Sequence, residues 1–176
     1  MVNVSRRVLA AGLLVAAAVV VAVIIASTRS SGERIVYPLS LPGGYGVAAS
    51  ISGEEAVRSV QGLHWNPEKI HVKDAVVVQY SDGTILWAAY VGKNACRLAD
   101  TMAEKMAVHE AELPYTAPIV HSIKGHRVYL SMDKRDGGLH AFWCRDGLVV
   151  WVRLGASAST DPARVLGLFI EGVKTG

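Results

Sequence analysis

Tyr80-Ser81-Asp82-Gly83-Thr84-Ile85-Leu86-Trp87 and Cys144-Arg145-Asp146-Gly147-Leu148-Val149-Val150-Trp151 stand 64 residues apart and share one order of parts. Each has a β-rich run, Asp-Gly, a second β-rich run and a Trp four residues after the glycine. Asp-Gly between two such runs is the strongest short hairpin signal, because a type I′ turn needs positive φ at both central residues. A two-residue turn then fixes the register. It predicts Cys144 opposite Val149, Phe142 opposite Trp151 and His140 opposite Arg153 in one hairpin. In the other it predicts Tyr80 opposite Ile85, Val78 opposite Trp87 and Val76 opposite Ala89.

Working outward, each second strand runs to a glycine, Gly92 or Gly155, and into an amphipathic helix. The first helix is expected over 94–108, with Leu98, Met102 and Met106 on its apolar stripe. The second is expected to start at Thr160 as cap with Pro162 near its first turn, burying Val165, Leu166, Phe169 and Val173. Further strands are expected at 70–72, 119–123 and 127–132. A leading helix starts at Ser52-Gly53-Glu54-Glu55, where Ser and Glu three residues apart suit a capping box. Residues 28–48, with Pro38, Pro42 and Gly43-Gly44, read as linker. The expectation is an α+β domain over 49–176: an antiparallel sheet with helices on one face, built from a duplicated hairpin–helix unit.

Before this domain, Val8 to Ala26 are nineteen uncharged residues behind Arg6-Arg7. At 1.5 Å per residue they span roughly 28 Å, close to the thickness of a bilayer's hydrocarbon core. No polar stripe interrupts them. The expectation is a cytoplasmic tail at 1–7, a transmembrane anchor at 8–27 and the remainder outside, as the positive-inside rule favours. A cleaved secretory signal ending near Ala26-Ser27 is the competing reading, although its apolar core is normally shorter. Both place the folded part outside the cytoplasm.

Composition narrows the function classes. Of eighteen Lys and Arg, two lie in the tail, leaving sixteen against fifteen Asp and Glu, so the outer part carries about +1. No basic run interleaves with aromatics, which argues against nucleic acid. The two cysteines, Cys96 and Cys144, lie in the outer part, where a single pair is expected to form a disulfide. Its loop of roughly 50 residues would stabilise the fold by about 3–4 kcal/mol on chain-entropy grounds. The bond would also hold the first helix on the Trp-bearing face and make both tryptophans core. Without it, that face would be an exposed recognition surface.

Candidate chemistry is sparse. Six histidines, His64, His71, His109, His121, His126 and His140, show no metal-binding helix spacing. No cofactor motif and no nucleophile elbow is present. Asp133 to Gly138 is a charged turn with too few carboxylates for calcium. The cluster singled out is His140, Trp143, Trp151 and Arg153, on neighbouring strands. Arg beside aromatics can hold an anion or a partner's aromatic ring; the competing reading makes the aromatics core and Arg153 its rim.

The run Gly138 to Trp151, with Ala75 to Trp87 and Met102 to Met106 ahead of it, resembles a loosely defined group of uncharacterised bacterial and archaeal proteins. These are exported or single-pass anchored α+β domains. The shared pattern is a strand and turn leading into Trp, a helix with Met, and a His-aromatic strand ending in Val-Trp. The resemblance covers about half the chain. It implies an exported α+β domain and no particular activity.

The expected function is therefore an anchored extracytoplasmic binding or accessory module with a protein partner, and not an enzyme. Two alternatives are an enzyme or metal-binding domain using His140 and its neighbours, and a structural subunit of a surface assembly. The topology is directly testable: protease added to intact cells or spheroplasts should cleave within 28–48, and protection until the membrane is broken would reverse the assignment.

Overall fold

In the computed structural model of the chain the described residues are 35–63 and 70–176. The expected tail, the anchor at 8–27 and the first part of the linker lie outside them, as does His64. Among the described residues no helix is long and apolar enough to cross a membrane.

The described chain runs β1 Ile35–Val36, β2 Ser40–Leu41, β3 Tyr45–Ser52, α1 Glu54–Gln61, β4 Asp74–Tyr80, β5 Ile85–Tyr90, α2 Ala95–Val108, β6 Ile119–Ile123, β7 His126–Met132, β8 Leu139–Arg145, β9 Leu148–Arg153, α3 Pro162–Gly172 and β10 Lys174–Thr175. It is an α+β fold. Eight strands form one antiparallel sheet in the order β2-β3-β4-β5-β9-β8-β7-β6, and β1 pairs with β10 apart from it. Residues 35–48, expected as linker, thus carry β1, β2 and the start of β3. Pro42, Gly43 and Gly44 form the turn between β2 and β3, while Ile35 and Leu41 are buried. The expected strand at 70–72 is irregular chain instead.

The second Asp-Gly hairpin has the register expected of it, with Cys144 opposite Val149, Phe142 opposite Trp151 and His140 opposite Arg153. Asp146 and Gly147 both take positive φ, 48° and 80°. The first hairpin differs by one residue. Trp87 lies opposite Val77, not Val78, and Ile85 lies opposite Gln79. The cause is Asp82, whose carboxylate accepts hydrogen bonds from the Thr84 amide at 2.9 Å and hydroxyl at 3.0 Å. That Asx turn leaves only Gly83 with positive φ, at 85°, and gives a three-residue loop. The slip moves Val76, Val78 and Tyr80 to the face opposite Trp87.

The helices occupy both faces of the sheet, which corrects the one-face expectation. Under α3, Val165, Leu166, Phe169 and Ile170 pack on Val78, Leu86, Trp143 and Val150, all buried. On the other face α2 sets Ala99, Ala103 and Met106 against Tyr129 and Phe142, and α1 sets Ala56 and Val60 against Ala75 and Ala89. Gly92 follows Trp87 by five residues, but Gly155 follows Trp151 by four. The two chains leave toward opposite faces of the sheet. Gly155 also packs against the first hairpin: a Cβ there would clash with the Asp82 carbonyl oxygen.

Helix ends show two further departures. Gly53, with φ 64°, caps α1 without any side-chain bond, because Ser52 is the last residue of β3. Asp161 rather than Thr160 caps α3, accepting from the Arg164 amide at 3.2 Å. The Cys96–Cys144 disulfide is present, with Cα atoms 4.9 Å apart, and ties the start of α2 to β8. Replacing both cysteines by serine should lower unfolding stability by about 3–4 kcal/mol, as judged by urea denaturation. An unchanged midpoint would show that packing alone holds α2.

Candidate functional site

The Trp-bearing face is a row of neighbours across five strands: Val77, Trp87, Trp151, Phe142 and Tyr129. The Trp151 and Phe142 rings stack at 4.8 Å, and Phe142 and Tyr129 at 4.9 Å. Tyr129 donates to Asp100 of α2 at 2.5 Å. This end of the row is closed by the helix.

The middle is not. Helix α1 lies over β3, β4 and β5, whereas α2 lies over β8 and β9. Between them a cleft of about 460 Å³ opens over Trp87 and Trp151. Its floor includes Ala89, Val149 and His140, and Tyr115 closes one end. Helix α2 makes this possible by using alanines against the sheet. Ala95, Ala99, Ala103 and Met106 are buried, whereas Leu98 and Met102, expected as core, are half-buried in the cleft wall. Trp87 and Trp151 are half-buried too. The disulfide and the open aromatic face therefore coexist, where sequence reasoning had set them as alternatives.

His140 is 3% exposed. Its Nδ1 accepts a hydrogen bond from Trp151 Nε1 at 2.8 Å, so the neutral ring carries its proton on Nε2. That Nε2 is buried and has no hydrogen-bond partner among the described residues. Burial, reinforced by the nearby positive Arg153, pushes the imidazole pKa down to about 4. The Tyr115 ring meets it edge-on at 5.1 Å.

Of the expected cluster, the fold brings His140, Trp151 and Arg153 onto one face but sends Trp143 to the other, buried beneath α3. Alternation along β8 separates Trp143 from His140, which lies an odd number of residues away. Arg153 is engaged by Asp136 at 2.7 Å rather than held ready for an anion. Asp133 is similarly occupied: Arg135 clamps it from the turn and holds its carboxyl well below the usual carboxylate range. Asp136 is also lowered, first by the Gly138 amide. His126 pairs with Ile123 and His121 with Val128, leaving those imidazoles offset. Among the described residues no group of three His, Cys, Asp or Glu could hold a metal ion.

Sequence reasoning missed Thr101, Lys105, Tyr115 and Val149 as cleft residues. The available signal was the alanine stripe of α2, which marks a close helix–sheet approach and turns the adjoining 98, 101, 102 and 105 positions toward open space.

The depressed His140 pKa has a stability consequence. Unfolded, the ring binds a proton below about pH 6.5. Folded, it does so only below about 4. The unfolded chain binds more protons between these values, so stability falls as pH drops from about 6.5 to 4, by on the order of 3 kcal/mol. His140→Gln should flatten this slope in pH-dependent denaturation, and an unaltered slope would assign it to another group.

No protein family, curated protein or solved structure matches the chain.

Proposed function

We propose that the chain is a single-pass membrane protein whose extracytoplasmic domain is a binding module, with the cleft between α1 and α2 as its ligand site. The carrying observation is the cleft itself, concave and walled mostly by apolar and aromatic side chains over two half-buried tryptophans. Its volume of about 460 Å³ falls in the range of small-molecule sites. The recessed aromatics favour an inserted apolar ligand over the flat protein contact first expected. The apolar run at 8–26 supports anchoring, and a disulfide supports an oxidising compartment.

Binding rather than catalysis is favoured by the state of His140. It is neutral, shielded, and already engaged through Nδ1, with no second titratable group hydrogen-bonded to it. We also read the two Asp-Gly hairpins as copies of one ancestral hairpin. Trp87 and Trp151 pair directly across the central seam, where a two-fold relation between copies would place them.

The neutral fluorescent probe N-phenyl-1-naphthylamine should bind the full chain with enhanced emission. Val149→Phe and Ala89→Phe fill the cleft floor, and each should weaken that binding by about tenfold or more, equivalent to about 1.4 kcal/mol. Melting curves check that each variant folds. Undiminished binding by both folded variants would remove the cleft from consideration.

A further inference from the structure

We propose that the cleft's ligand is a single-chain anionic amphipath, an extended aliphatic chain ending in a carboxylate or phosphate. This rests on the cleft being the binding site, and it follows from how polarity is distributed along its walls. Residues 98, 101, 102 and 105 form one stripe of α2, spaced by helical turns, and all four line the cleft. Lys105 is exposed, so it stands at the mouth. It is the only charged residue lining the cleft among the described residues, and no carboxylate lines it. Its ammonium makes no ion pair among the described residues. Thr101 lies one turn earlier on the same stripe, placing a hydroxyl and an ammonium where one head group can meet both.

The depth is different in kind. Ala89, Met106 and Val149 are buried there, and His140, the polar side chain of that floor, is withdrawn from solvent. His140 Nδ1 is taken by Trp151, and Nε2 is shielded from solvent. A polar tail laid over Ala89, Met106 and Val149 would lose hydration without recovering a hydrogen bond. A chain that is apolar to its tip loses none. Two methionines, Met102 and Met106, with Leu98 and Val72, give a wall that conforms to a flexible chain more readily than to a rigid plane. The bound orientation is thus head at Lys105, tail over Trp87 and Trp151.

Displacement of N-phenyl-1-naphthylamine from the full chain, held in an amphipathic polymer instead of detergent, tests this. Dodecanoate and dodecyl phosphate should each displace the probe at about tenfold lower concentration than dodecanol, the size of one charge-assisted contact. The stronger of the two identifies the head group. Lys105→Gln should abolish that advantage while leaving dodecanol and the probe itself unchanged, and Lys105→Arg should retain it. Equal displacement by dodecanol, or an advantage that survives Lys105→Gln, overturns the head-group assignment. Better displacement by 2-naphthoate than by dodecanoate overturns the aliphatic chain. In those cases Val149→Phe still blocks the probe and the cleft stands as a binding site. Probe binding that Val149→Phe and Ala89→Phe leave intact defeats the cleft and this inference together.

Discussion

The pairing of β5 with β9 is the contact on which the rest depends. Six residue pairs, from Ile85 with Arg153 to Tyr90 with Leu148, join two four-stranded halves into one sheet. Those halves come from distant parts of the chain, so the join is a non-local one that no single hairpin supplies. It places Leu86 and Ala88 beside Val150 and Val152, creating the continuous surface on which α3 packs. It also brings Thr84 to Gly155, whose amide donates to the Thr84 hydroxyl at 2.9 Å. Thr84 is fully buried, and its partners Asp82 and Gly155 satisfy it from two sides.

The same seam explains why there is a cleft. The two faces are treated unequally because α3 crosses the seam on one side, whereas α1 and α2 flank it on the other. Large side chains from both helices would close the gap. Instead α2 presents alanines to the sheet and sits low over Phe142 and Tyr129, leaving the tryptophans at the seam half-covered. The disulfide fixes one end of that helix to β8 and the Tyr129–Asp100 bond fixes it again a turn later. The wall that bears Lys105 and Met102 is therefore held by covalent and polar contacts as well as by the apolar packing of Ala99, Ala103 and Met106.

Much of this was legible in the residues. Asp146-Gly147 allowed one turn type and so gave the full register of its hairpin, including which residues share a face. Asp82-Gly83 carries the same dipeptide and did not, because Thr84 follows it where Leu148 follows the other. The Thr84 amide and hydroxyl recruit Asp82 into an Asx turn and lengthen the loop. The side of the sheet taken by each helix was not legible, because the connections after β5 and β9 lie outside the strand alternation. The cleft was least visible. It is a gap between α1 and α2, and periodicity reports which face of a helix is apolar, not whether anything lies against it.

The small β1–β10 ladder pairs Ile35 with Thr175 and Val36 with Lys174, and it lies apart from the main sheet. The first and last described strands are thereby clasped, and the two ends of the domain leave from one place. A pull transmitted through residue 35 falls on this two-pair clasp and on the buried Ile35 side chain. Anything joined beyond Gly176 would likewise emerge beside the point where the chain enters the domain, at the pole that holds Val173 and Pro38.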